Sequence, residues 1–336
     1  MIKTDVLIVG GGPAGSACAW RLKQANLGCI ILDQARFPRF KPCAGWITPE
    51  ILQALQLDPA DYPHDLTTFT SFDISIRGVR FRLPVKQHAI RRFEFDDFLL
   101  QRAGVEVHQH AVKSITRVNG AYVVDGLYSS AFLVGAGGTH CPVYRTFFQS
   151  AGPRDPSSLI AAMEEEFPYE GSDGRCRLWF FEHDLPGYAW VVPKANGYLN
   201  VGIGGKAGQL KAGSLSLREH WNRLVEQLER AGLVRGHTYK PSGHSYYLRQ
   251  AHPLLKMDRA YIVGDAAGLA TLDMGEGINP AVRSGLLAAE AILKNGDYSL
   301  KSIPKYSLVS MLRSSFSRKT RAVGSAPGKQ GGKNAD

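Results

Sequence analysis

Three glycines spaced Gly10-x-Gly12-x-x-Gly15 end a short apolar run, Val6 to Val9, and a carboxylate, Asp33, ends a second run about 20 residues further on. Residues of these types at this spacing can hold a dinucleotide. Gly10 permits a tight turn, Gly12 lets backbone approach a pyrophosphate, and Gly15 lets a helix pack closely on a strand. Pro13 and Ala14 then open a helix whose free N–H groups can face anionic oxygens. Asp33 is the expected acceptor for a ribose hydroxyl. The assignment needs a strand before the glycines and a helix after them. Val6 to Val9 fits a buried parallel strand and Ala14 to Leu22 has helical character, so both are in place. A glycine turn in some other α/β unit is the plainer alternative, and strand, helix and acid together argue against it.

The N-terminal turn alone does not choose between FAD and NAD. A second strand enters a glycine turn at Tyr261-Ile-Val-Gly264-Asp265-Ala-Ala-Gly268, followed by Gly275-Glu-Gly277-Ile278-Asn-Pro280 and a helical stretch to Leu293. This arrangement resembles the Gly-Asp motif of flavoprotein oxidoreductases. The resemblance implies that Asp265 and its turn hold the ribityl and pyrophosphate portion of FAD, with the next helix aimed at the isoalloxazine. A helix cap is the plain alternative for Asp265. FAD is the expected cofactor.

Three further segments are similar, in order and spacing, to motifs of the geranylgeranyl reductase family: Lys41-Pro-Cys43-Ala44-Gly45, Arg92-Phe-Glu-Phe-Asp96, and Gly187-Tyr188-Ala-Trp190-Val-Val-Pro193-Lys194. The resemblance runs from about residue 5 to residue 295. It implies the aromatic-hydroxylase-like flavoprotein fold and saturation of isoprenoid double bonds. It implies that the Cys43-Ala44-Gly45 turn lies beside the flavin ring, where the Cys43 thiol could relay a proton or simply pack. It implies that Arg92 contacts FAD, against the alternative of a solvated surface charge, and that Tyr188 and Trp190 line the substrate pocket. Trp190 taken alone reads as a residue packing a sheet face. One departure stands out: the family's Gly-Ala-Asp-Gly is here Gly135-Ala-Gly137-Gly138, so a polar contact near the nucleotide is missing. Relatives in that family also continue with helices over the substrate chamber, which leaves substrate size open.

The fold expected is α/β: a Rossmann-like FAD-binding domain with a parallel sheet, interleaved with a smaller substrate domain on an antiparallel sheet. Residues 1–66, 90–149 and 251–300 are assigned to the first, and 67–89 and 150–250 to the second. Within the second, Thr68 to Pro84 alternates about Arg77-Gly78 and reads as a hairpin. Gly202-Ile-Gly204-Gly205 reads as a strand making close backbone approach rather than another nucleotide turn. A single dinucleotide site then implies that NAD(P)H docks transiently as reductant or that a reduced protein carrier replaces it.

Composition agrees. With 44% hydrophobic residues, 336 residues can bury one large core and a smaller one. The net charge of +10 looks like a nucleic-acid signal until it is mapped. Residues 301–336 hold eight Lys/Arg against one acid, leaving only +3 on the first 300, so no nucleic-acid partner is expected. Residues 314–336 are rich in Ser, Gly and basic residues, and read as a disordered basic tail. Five scattered cysteines, never in a Cys-x-x-Cys spacing, point to neither zinc nor a disulfide framework. His108 and His110 alternate on one strand face without ligand spacing, and no metal is expected. No apolar run approaches the roughly 18 residues that span a bilayer, and the N-terminus reads as a strand rather than a signal peptide. The expected setting is cytoplasmic, with a peripheral membrane contact as an option; nothing in the sequence fixes an oligomeric state.

The leading functional reading is an FAD-dependent reductase of carbon-carbon double bonds in an isoprenoid or related lipid. A flavin monooxygenase or halogenase is the nearest rival, and a degraded flavin-binding protein is the second alternative.

Overall fold

In the computed structural model, which describes residues 1–307, two eight-stranded sheets share the chain. The basic tail at 314–336 lies outside the described residues. The first sheet has a parallel core in the order β6 (Glu106–Gln109), β2 (Cys29–Asp33), β1 (Ile2–Val9), β9 (Tyr128–Gly135), β16 (Ala260–Ile262). Antiparallel additions flank it: β7 (Ile115–Val118) and β8 (Ala121–Val124) against the start of β9, and β15 (Lys256–Met257) on β16. All five residues of β2 and the last four of β1 are buried, as a parallel strand covered on both faces requires. α1 (Pro13–Gln24), α3 (Arg92–Ala103) and α6 (Ile278–Leu293) cover one face, with α1 packed between the other two, and Ile115, Tyr122, Val124, Tyr144 and Phe148 pack on the other. The expected Rossmann-like parallel sheet is therefore present.

The second sheet runs β14 (Ser242–Tyr247), β10 (Leu159–Pro168), β13 (Tyr198–Lys206), β12 (Gly187–Lys194), β11 (Arg177–Phe180), β4 (Thr67–Ile76), β5 (Val79–Ala89), β3 (Trp46–Ile47). It is antiparallel except where β11 meets β4, which is parallel; α3, the strands β6 to β9 of the first sheet and β10 intervene in the chain between β5 and β11. β4 and β5 form the expected hairpin about Arg77-Gly78. Period-2 alternation divides the sheet's residues sharply. Phe167, Ala189, Val191, Leu199, Val201 and Ile203 pack under α5 (Leu217–Arg230). Ala162, Trp190 and Val192 take the opposite face, with Trp46, Phe72 and Met274. The short helices α2 (Pro49–Ala54) and α4 (Ala207–Ala212) close the periphery. Among the described residues, no helix is long and apolar enough to cross a membrane.

Candidate functional site

The first glycine turn follows β1 directly. Gly10 has φ of +113°, and a Cβ there would lie 2.7 Å from Gly137 N and inside the Ala136 carbonyl, so only glycine fits. That contact also presses the Gly135-Ala-Gly137 turn at the end of β9 against the β1 turn. α1 begins with Pro13 and has no side-chain cap, so its first N–H groups are left for an anion. At the end of β2, Asp33 Oδ2 accepts the Gly11 N–H at 2.7 Å and Oδ1 accepts the Ala35 N–H at 2.9 Å. The carboxylate thus sits at the rim of the turn, tied to the loop it is expected to serve.

The second glycine turn arrives at the same place. Gly264 opens a short 3-10 turn through Ala267, and a Cβ on it would lie 3.1 Å from Ala14 Cβ and 3.3 Å from Ala281 Cβ. α6 follows, capped by no side chain at Gly277, whose added Cβ would be 3.4 Å from Asp265 Oδ1. A Cβ at Gly285, two turns along α6, would lie 3.0 Å from the Ala14 carbonyl carbon, so α6 and α1 touch backbone to backbone. Two helix N-termini without side-chain caps, one from each end of the sequence, therefore lie side by side with Gly264 between them and Asp265 beside the start of α6. Gly275 and Ile278 flank the junction; Gly275 packs on Tyr246 of β14 and Ile278 is buried beneath α2. Asp265 does not cap α6 by a side-chain hydrogen bond, which removes the plain alternative for it.

The Cys43-Ala44-Gly45 turn bridges the two sheets. Cys43 is a half-buried free thiol whose Sγ accepts the Gly45 N–H at 3.3 Å. The ammonium of Lys194, at the end of β12, is 5% exposed and donates to Ala44 O and, at 2.7 Å, to Ile90 O. Burial pulls the Lys194 pKa below its ordinary value. Asn200 of β13 adds a long contact from Nδ2 to Cys43 O at 3.5 Å. The turn is held from the second sheet by these two polar side chains.

Arg92 is not a solvated surface charge, which corrects that alternative. It is 9% exposed and makes a bidentate pair with Asp96 one turn along α3, Nε to Oδ1 at 2.6 Å and Nη2 to Oδ2 at 2.7 Å. Burial alone would lower its pKa, but the Asp96 carboxylate overrides that and holds the guanidinium charged. Arg39 joins the same carboxylate at 3.3 Å and lies 3.2 Å from a Cβ placed on Gly12, so it edges the glycine turn. Sequence reasoning missed Arg39 and Asp96 as parts of this cluster.

On the second sheet, Trp190 donates its indole N–H to Asn200 Oδ1 at 2.7 Å. Its ring fills the space over Gly202, where a Cβ would lie 2.7 Å from Nε1. The strand reading of Gly202 to Gly205 holds, but Gly202 makes room for an indole rather than for backbone. Tyr188 stacks on Phe180 at 4.9 Å and donates its hydroxyl to Met274 O at 2.6 Å. Tyr188 and Trp190 thus share the face that looks toward the Cys43 turn and the α6 loop. So do three polar residues that sequence reasoning passed over: the buried Glu164 and Asn200 and the half-buried His244. The signal for the first was present. Three consecutive acids, Glu164 to Glu166, lie in one strand, and alternation sends at least one of them to each face. Glu165 turns out to His237 and Glu166 to Arg91, while neither Glu164 oxygen has a hydrogen-bond partner among the described residues. His108 and His110 are engaged by Tyr128, Glu106 and Asp125, and all five cysteines are free.

Comparison with known proteins agrees with this geometry. A family model described as an NAD(P)-binding Rossmann-like domain matches residues 8–40. A menaquinone reductase of Mycolicibacterium smegmatis is 28% identical over 349 residues, covering 88% of this chain and 78% of its own. Digeranylgeranylglycerophospholipid reductase 1 of Methanopyrus kandleri is 27% identical over 329 residues, covering 90% and 84%. Among solved structures, a geranylgeranyl bacteriochlorophyll reductase-like protein from Thermoplasma acidophilum superposes with a TM-score of 0.75 at 22% identity, over 95% of this chain and 85% of that one. The flavin-dependent brominase Bmp2 gives 0.71 at 19% identity, over 87% and 79%. These relatives bear out the resemblance to the geranylgeranyl reductases. Reductase names along most of the chain, on a flavoprotein architecture, support an FAD-dependent oxidoreductase.

Proposed function

We propose that this chain is an FAD-dependent reductase that saturates carbon-carbon double bonds of an isoprenoid or related lipid. The observation that carries the reading is the meeting of the uncapped N-termini of α1 and α6 at Gly264, with the Cys43 turn clamped nearby. Gly10, Gly12, Pro13, Ala14, Gly15 and Asp33 would hold the ADP portion. Gly264, Asp265, Gly275, Gly277 and Ile278 would hold the middle of the cofactor, with Arg92 as a fixed positive group beside them. Ala44 and Gly45 would lie along the flavin ring. When bound and reduced, FAD supplies hydride to carbon.

The protein's own contribution is placement and exclusion of water. The aromatic wall of Trp46, Phe180, Tyr188 and Trp190 offers a greasy ligand an apolar surface. Lys194 ties that wall's strand to the Cys43 turn and so fixes the distance between substrate side and cofactor side. The parallel sheet with its glycine turns forms one dinucleotide site, so the reductant is either NAD(P)H docking transiently or a reduced protein carrier. Relatives named for reduction of a menaquinone and of a prenylated glycerophospholipid support a lipid-class substrate. The proposed division of labour is residues 1–66, 90–149 and 251–300 for cofactor and 67–89 and 150–250 for substrate, with β3 (Trp46–Ile47) of the first range joining the second sheet through β5.

The test is single turnover. Protein carrying reduced FAD, mixed anaerobically with a polyprenyl alkene, should reoxidise and yield a product two hydrogens heavier. The brominase likeness keeps one rival in view: a product bearing oxygen or halogen, formed only in air, would favour it. Protein that binds FAD but accepts electrons from no donor would favour the degraded flavin-binding reading.

A further inference from the structure

Glu164 lies in the middle of β10, opposite Gly202 on one side and Ser242 on the other. It is 1% exposed, and neither carboxyl oxygen is hydrogen-bonded among the described residues. A carboxylate left in that state would forfeit its hydration with nothing in exchange, so the group keeps its proton instead. Burial pushes its pKa up to about 8, although the Lys194 and Lys41 ammonium groups pull the other way. The carboxyl opens into a small crevice lined by Cys43, Lys41, Arg92, Asn200 and Glu166, whose outer edge is formed by the exposed Phe40 and Phe93. The crevice thus joins the Cys43 turn to side chains exposed at the surface.

We propose that Glu164 is the proton source for the second carbon of the reduced double bond, reloaded from water through the crevice beside Phe40. The proposal rests on the reductase reading above. The alkene accepts hydride at one carbon from reduced FAD, which leaves oxidised. The π pair moves to the other carbon and takes the Glu164 proton, leaving a carboxylate that water reprotonates. Charge and electrons balance: two electrons and one proton arrive with the hydride, one proton with Glu164, and the product gains two hydrogens. Nearby groups suit a proton donor that must recover. Lys41, Lys194 and Arg92 steady the transient carboxylate, Glu166 opposes it, and Tyr188 and Tyr246 are held as neutral phenols by burial. His244, on the neighbouring strand, is pushed down to about 3 by burial and by Lys41 and Arg92, so it holds no proton to give at neutral pH. Glu164 is therefore the group on this face that combines burial, a retained proton and a crevice edged by exposed side chains.

Glu164→Gln in the FAD-loaded full-length protein tests the proposal, with Glu165→Gln on the opposite face as control. Two readouts are needed. Infrared spectra should show, besides the Glu276 carboxyl that titrates at about 7, a protonated carboxyl band that titrates at about 8 and is lost in Glu164→Gln but not in Glu165→Gln. With geranylgeraniol as the probe alkene, single-turnover reoxidation should slow by about 100-fold or more in Glu164→Gln, with FAD content unchanged, and stay at the wild-type rate in Glu165→Gln. A wild-type protein that shows the band yet never reduces the probe contradicts the reductase reading and the proton's destination with it. A wild-type protein that reduces the probe as fast as Glu164→Gln overturns Glu164 alone. Should Glu164→Gln not fold, Glu164→Asp retains an acid on a shorter arm, and a turnover pH profile identical to wild type would overturn the proposal.

Discussion

Asp96 is completely buried and serves two guanidinium groups, Arg92 and Arg39, the second of which edges the first glycine turn. Removing its charge leaves those cations without their counter-ion in a poorly solvated place. Asp96→Asn should therefore cost about 3–5 kcal/mol of stability, read as a drop in urea midpoint at constant slope; a loss under about 1 kcal/mol would mean that water already reaches the cluster. Lys194 makes a different point. Its two donated bonds go to carbonyls of Ala44 and Ile90, on opposite sides of the Cys43 turn. Lys194→Met keeps the stem and removes both bonds, each worth about 1.5–3 kcal/mol when the donor is charged. We expect FAD affinity to fall at least tenfold while the circular dichroism spectrum is retained. Glycine spacing, Asp33 and the Tyr188 to Lys194 segment were legible as site residues because their chemistry is local in sequence. Glu164 was not singled out, because knowing which of three adjacent acids faces the site requires the register of β10 against β13.

At the scale of elements, α1 and α6 come from opposite ends of the sequence and touch where Gly285 meets Ala14. Gly285→Val would drive a branched side chain into that backbone. Overpacking of this kind costs typically 1–3 kcal/mol where side chains can yield, and backbone yields less. The expected result is loss of bound flavin at a temperature where Gly208→Ala, on exposed α4 with open space around it, is indistinguishable from wild type. The two strand-glycine-helix units were legible for a physical reason: a buried parallel strand must read as an apolar run, and a close turn must read as glycine. The parallel pairing of β11 with β4 was not legible, since it depends on where a strand returns after the chain has built half of another sheet. Nor was the role of Gly202, whose partner is an indole one strand away.

Among the described residues, two buried carboxyls have raised pKa, Glu164 at about 8 and Glu276 at about 7, each caused first by burial. The native state then holds protons that the unfolded chain has released above about pH 4.5. His244, His88 and His220, whose pKa values burial lowers, make stability rise with pH until those imidazoles are deprotonated in the unfolded chain near pH 6.5, so the carboxyls' decline is expected from about 6.5 toward 8, by up to about 1.4 kcal/mol per pH unit for each group still protonated. Thermal melts across that window should show the decline, and Glu276→Gln should flatten it below pH 7 in particular. A melting temperature rising steadily to pH 8 would show that these carboxyls are ionised in the fold. The same design that buries them puts the cofactor turns on one sheet and the proton-bearing face on the other, with the Cys43 turn between.

The meeting of the two glycine turns around one flavin dinucleotide is tested most directly by titrating apoprotein with FAD and following fluorescence quenching. We expect one equivalent to bind and turn the protein yellow, FMN to fail for want of the adenylate half, and Gly10→Ala and Gly285→Val each to abolish binding. An apoprotein that takes up no FAD, or that binds NADH tightly in its place, would contradict the shared site and the reductase chemistry built on it.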